Sequence, residues 1–130
     1  MPNTPIAEAQ LDEMRDSLSE VYKECSRIDW DGYGASAVTE GAYEEALKLI
    51  DAIIDALPSS IPAPEIGAEP TGDIDFEWYR GKGQVFAISV GGKHRITYAG
   101  IFAGSKVHGT EYFEGTLPMT IVRHLGRLYS

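Results

Sequence analysis

The sequence predicts an α+β domain in which two N-terminal helices and a C-terminal helix lie on one face of an antiparallel β-meander of three to five strands. Three observations carry that expectation. Apolar residues recur at helical spacing through residues 11–57 and again after Leu117. The segment between them alternates apolar and polar residues between glycine turns, the period of a strand with one wet face. The 130 residues are 43% apolar, a usual length for one domain and enough to bury one core, so residues 1–130 are read as a single domain.

The first helix starts at Thr4-Pro5, an N-cap residue followed by proline at the first helical position, where its missing N–H costs nothing. It should run for about 22 residues. Leu11, Met14, Leu18, Val21, Cys25 and Ile28 step by three and four and so form one apolar stripe. That stripe suits either an intramolecular groove or a coiled-coil-like dimer seam; a chain this short needs it for its own core, and the flanking positions lack opposed charges. Thr39 can cap a second helix with Tyr43, Ala46, Leu47, Ile50, Ile53, Ile54 and Leu57 inside, and Pro58 stops it.

Ser59 to Pro70 contains Pro62, Pro64 and Pro70 and is expected to be an extended connector feeding one sheet edge. Ile74, Phe76 and Trp78 then alternate with Asp73, Asp75 and Glu77, a strand with one buried and one solvated face. Gly81-Lys82-Gly83 turns the chain into a second strand bearing Val85, Phe86, Ile88 and Val90; Gly91-Gly92 makes a tight hairpin turn into a third over Arg95 to Ala99. Val107 to Phe113 supplies a fourth. Leu117-Pro118 opens the last helix, with Ile121, Val122, Leu125 and Leu128 inside and Arg123, His124 and Arg127 near its C-terminal dipole.

Eleven Lys and Arg against 20 Asp and Glu leave a net charge of −9, which repels phosphates and disfavours nucleic-acid or anionic-membrane ligands. A basic protein partner is favoured instead. The asymmetry is strong: residues 1–80 carry 18 acids and 5 bases, residues 81–130 only 2 acids and 6 bases. The single Cys25 allows neither an internal disulfide nor a thiolate zinc cluster, which fits a reducing cytoplasm. Glu8, Asp12, Glu13 and Asp16 break up any secretory apolar core near the start, and no apolar run reaches membrane-spanning length.

Two acidic constellations are candidates for chemistry. With Asp29 as the first position of a loop, Asp31 is third, Gly34 sixth and Glu40 twelfth, four matches to a calcium-binding EF-hand loop. Tyr33 and Ala37, however, stand where the fifth and ninth ligands belong. The competing reading is a glycine-rich turn in which Asp31 bonds local N–H groups while Trp30 and Tyr33 pack over the core, structural roles shared with Trp78. The second constellation is Asp73, Asp75 and Glu77, on one strand face roughly 6.6–7 Å apart. It is either a solvated face, a weak divalent-metal site or a surface for Lys and Arg of a partner. One strand face does not hold an acid and a base across a pocket, so paired-carboxylate hydrolysis is not expected.

His94, His108 and His124 lack metal-ligand spacing and are read as surface residues, and Cys25 as a small core residue. The glycine-lysine turns lack a P-loop frame, and there is no G-x-S-x-G element. No cofactor is expected.

Trp30-Asp31-Gly32-Tyr33-Gly34-Ala35, a helix ending Leu57-Pro58, the strand Gly72-Asp73-Ile74-Asp75-Phe76-Glu77-Trp78 and a terminal Leu117-Pro118 helix together resemble a group of small uncharacterised bacterial and phage-associated proteins. The resemblance covers about residues 20–128 and departs from the group at Ala37-Val38, where a proline is expected. It implies architecture and carries no activity or cofactor. The expected function is therefore a non-catalytic, acidic protein-binding module of the antitoxin, immunity or anti-defence type, monomeric or homodimeric, acting on a basic partner that handles nucleic acid. The alternatives are an acidic-cluster enzyme or metal-binding protein, and a structural homo-oligomer.

Overall fold

The computed structural model describes residues 4–130, with side chains from residue 9 onward. Its elements are α1 (Thr4–Cys25), α2 (Glu40–Ala56), β1 (Glu65–Ala68), β2 (Ile74–Gly81), β3 (Gln84–Val90), β4 (Arg95–Phe102), β5 (Ser105–Tyr112) and α3 (Met119–Leu128). The five strands form one antiparallel sheet in sequence order, and the helices cover one of its faces.

Helix α1 has the expected 22-residue length, although the expected Thr4 cap lies outside the described side chains. Met14, Leu18 and Cys25 are buried, with Leu11 and Val21 packed against the same core. The stripe is thus consumed within the chain. Ile28 departs from the expectation: it is 79% exposed, because the helix ends at Cys25 and Asp29 enters the left-handed region at φ 64°, which breaks the three-four phase. Helix α2 is capped by the Thr39 hydroxyl, which accepts from the Ala42 N–H at 3.1 Å. Its buried face is rotated from the expected one. Ala42, Glu45, Leu49 and Ala52 are inside, while Tyr43, Leu47 and Ile54 sit half-buried at its margin. Tyr43 stacks on Tyr22 of α1, ring centroids 4.6 Å apart.

The proline-rich connector delivers edge strand β1, whose Ile66 pairs with Phe76 and Ala68 with Ile74. Pro62 accepts a 2.9 Å hydrogen bond from the Trp78 indole N–H, so this 1%-exposed ring is buried without an orphaned donor. Across the sheet, Trp78, Phe86 and Gly100 are cross-strand neighbours, as are Ile74, Val90 and Ile96, and all face the helices. Tyr98 opposes Gly109, where a Cβ would lie 2.6 Å from the Tyr98 hydroxyl; the missing side chain is what lets the ring lie across β5.

Turn Gly91–His94 is longer than the expected two-residue turn and is held from α2. Buried Glu45 accepts from the Gly92 N–H at 2.9 Å and from the His94 N–H at 2.7 Å. Gly92 has φ 82°, and a Cβ there would meet the Gly41 carbonyl carbon at 2.7 Å, so the turn can seat on the start of α2 only as glycine. Arg80 of β2 donates to the Leu128 carbonyl at 2.6 Å and so satisfies one of the orphaned acceptors that end α3.

Candidate functional site

Because side chains alternate along each strand, burying Ile74, Phe76, Trp78, Phe86, Ile88, Val90, Ile96 and Tyr98 against the helices turns their neighbours outward. Register then assembles an outer face in levels. Glu69, Asp73, Gly91, Arg95 and Tyr112 lie abreast at one end. Next come Gly67, Asp75, Ser89, Thr97 and Thr110, then Glu65, Glu77, Ala87, Ala99 and His108, and finally Tyr79, Val85, Ile101 and Lys106. The β1–β2 margin is acidic, the middle is small and mostly apolar, and the β4–β5 margin carries Arg95 and Lys106.

The three expected acids all belong to this face. Glu77 is exposed, whereas Asp73, just ahead of β2, and Asp75 are half-buried. Glu65 and Glu69 join them, which the sequence reading missed because it took their segment as a connector; the alternation Glu65, Gly67, Glu69 against Ile66 and Ala68 was the available signal. The Ser89 hydroxyl donates to Glu69, holding that carboxylate over the sheet. Burial, and then the charges of Glu69 and Glu77, push the Asp75 carboxyl above its ordinary value, while its hydrogen bond to its own backbone N–H opposes the shift. Lys93 and Arg95 border a shallow depression with Asp73 and Ser89 at the same end.

The Asp29–Glu40 loop arranges its acids differently from a cation site. Asp29 accepts from the Gly34 N–H at 2.6 Å, and Asp31 from the N–H groups of Tyr33 at 2.8 Å and Ala35 at 3.1 Å. These oxygens face the loop's own amides, and Glu40 has already entered α2. Asp29, Asp31 and Glu40, the weak metal alternative, are not gathered into one cluster: among the described residues, no three His, Cys, Asp or Glu side chains are placed to hold a metal ion. The loop's aromatic residues also divide. Trp30 is half-buried and donates its indole N–H to the Ser36 carbonyl at 2.7 Å, but Tyr33 is 93% exposed and has no packing role. With positive φ at Asp29, Gly32 and Gly34, the backbone turns Tyr33 outward.

His94 and His108 are exposed as expected, whereas His124 is not simply a surface residue. Its ring lies 5.5 Å from Tyr98, 5.6 Å from Phe86 and 5.8 Å from Phe102, centroid to centroid, at the seam between α3 and the sheet. Burial, and then Arg127, lower its pKa. Burial and the adjacent Glu24 push the Cys25 thiol up, away from the reactive thiolate.

No family model, curated protein or solved structure matches this chain. Among the described residues, no helix is long and apolar enough to cross a membrane.

Proposed function

We propose that this protein is a non-catalytic binding module that uses the open face of its sheet to engage a basic protein partner, in the manner of an antitoxin, immunity or anti-defence protein. The observation that carries the reading is the acidic margin: Glu65, Asp75 and Glu77 on strands β1 and β2, with Glu69 and Asp73 in the turn that joins them, lie on a face that no described helix covers. Partners that handle nucleic acid expose positive channels. An acidic, rigid sheet margin accelerates encounter with such a channel and competes there with phosphates.

The test is a comparative capture from the native host, using wild-type protein and the variant Asp73→Asn, Asp75→Asn, Glu77→Gln. A stoichiometric basic protein retained by the first and lost or slowed by the second supports the reading. Its association rate should fall with added salt for wild type and much less steeply for the variant. A captured partner whose low-salt association rate is the same with both proteins overturns the assignment to this face.

A further inference from the structure

The loop of residues 26–39, which joins α1 to α2, is fixed by its own hydrogen bonds. The Asp29 N–H donates to the Ala35 carbonyl at 2.7 Å and closes the turn, while the Asp29 carboxylate accepts from Gly34 and the Asp31 carboxylate from the N–H groups of Tyr33 and Ala35. Trp30 ties the loop to the core through its half-buried ring and its indole bond to the Ser36 carbonyl. Asp29 holds φ 64° without being glycine, a backbone state that persists where the surroundings enforce it. All this order displays apolar surface. Among the described residues, Tyr33 is the most exposed large hydrophobic side chain at 93%, followed by Ile28 at 79%.

The loop also touches the acidic margin. Ser36 donates its N–H to the Pro70 carbonyl at 2.8 Å, and Gly72, at φ 91°, lies so close that a Cβ there would meet the Ala37 carbonyl oxygen at 2.7 Å. Pro70 and Gly72 stand in the turn between β1 and β2, between Glu69 and Asp73. Three residues span at most ~11 Å, so through the Ser36–Pro70 bond the Tyr33 backbone lies within about 20 Å of Glu69. One side of a standard interface, ~800 Å², is roughly 30 Å across. A single partner seated on the acidic margin therefore covers the loop as well.

We infer that Tyr33 anchors the interface with the basic partner, inserting into an apolar recess of that protein whose rim carries Lys or Arg, with Ile28 as a second apolar contact; the assignment rests on the reading of the acidic face given above. The rim is basic because Asp29, Asp31 and, across the Ser36–Pro70 bond, Glu69 and Asp73 arrive with the ring, against which the loop sets only Arg27. Margin and loop have different tasks. The acids act at a distance and set the association rate, whereas an aromatic side chain acts on contact and sets the dissociation rate. Tyrosine brings a large amphipathic area with only two side-chain torsions to immobilise. A loop already held by its own amides has little left to order on binding.

The test introduces the photo-crosslinking residue p-benzoyl-phenylalanine in place of Tyr33, and in a second variant in place of Glu77, in the whole chain in its native host. The expected result is one and the same basic protein crosslinked from both positions. A protein reached from Glu77 alone leaves the acidic face standing and overturns the anchor. One reached from Tyr33 alone, or different proteins from the two, overturns the shared interface, and no crosslink at either position overturns both readings. With the crosslinked protein purified, Tyr33→Ala should raise the dissociation rate at least about tenfold and leave the association rate and its salt dependence as in wild type. Tyr33→Phe should retain most of the affinity because the ring is kept. The variant Asp73→Asn, Asp75→Asn, Glu77→Gln should show the opposite division, with slower association. A Tyr33→Ala protein that melts with wild type and also dissociates at the wild-type rate overturns the inference.

Discussion

The two tryptophans and the loop tyrosine occupy three different environments and should respond accordingly. Trp78 is 1% exposed with its N–H bonded to Pro62, so Trp78→Ala is expected to cost about 3–5 kcal/mol in denaturant unfolding. Trp30→Ala should cost about 1–2 kcal/mol, because the ring is half-buried and supplies one hydrogen bond. Tyr33→Ala should stay within about 0.5 kcal/mol of wild type. Sequence context marked all three as aromatic and structural; it did not reveal that positive φ on either side of Tyr33 turns that residue to solvent. Asp75 has a directional consequence with pH. Its folded-state pKa lies above the ordinary 3.8, so within that interval the folded protein keeps a proton that the unfolded chain has released, and stability falls as pH rises through it. Asp75→Asn should therefore raise the melting temperature at neutral pH and lose that advantage as pH falls toward 3.8. A gain of equal size at both ends of a pH series would contradict the burial and the acid neighbours as its cause.

Connections between elements rest on a few polar contacts that no local pattern announces. Glu45 lies on the inner side of α2, where helical periodicity calls for an apolar residue, and it meets its two donors 47 and 49 residues further along the chain. Glu45→Ala leaves both turn N–H groups without their acceptor and should cost about 2–3 kcal/mol, with faster amide exchange at Gly92 and His94. Glu45→Gln should fall in between. Unchanged exchange at both amides in the alanine variant would show that the turn does not depend on α2. The contact between α3 and the sheet is pH-sensitive in a defined direction. The His124 pKa is lowered from 6.5 by burial and Arg127, so below 6.5 the unfolded chain takes up a proton that the folded state resists, and stability declines as pH falls through the folded value. His124→Leu should flatten that part of the melting-temperature profile. Periodicity placed His124 on α3 but could not show that Phe86, Tyr98 and Phe102 converge there.

For the molecule as a whole, charge outweighs local pairing. The two ion pairs among the described residues, Arg15–Asp51 and Lys23–Glu20, are between exposed side chains and contribute little, while a net −9 repels itself throughout. Sodium chloride added to a dilute, low-salt sample should therefore raise the melting temperature; a fall would mean that attractive pairs dominate. What could be read along the chain was whatever depends on neighbours a few residues away. The helical and strand periods, the Thr39 cap, the Pro58 stop, the placing of Asp73, Asp75 and Glu77 on the face opposite Ile74, Phe76 and Trp78 and the acidic bias all belong to that class, because one turn or one pleat is enough to express them. Strand register, the rotation of α2 about its axis, the recruitment of Glu65 and Glu69 to the acidic margin and the opposition of Arg95 to that margin were decided only in the folded chain. Each depends on segments far apart in sequence, and antiparallel pairing together with burial of the inner face leaves one register in which all the large apolar side chains meet the helices.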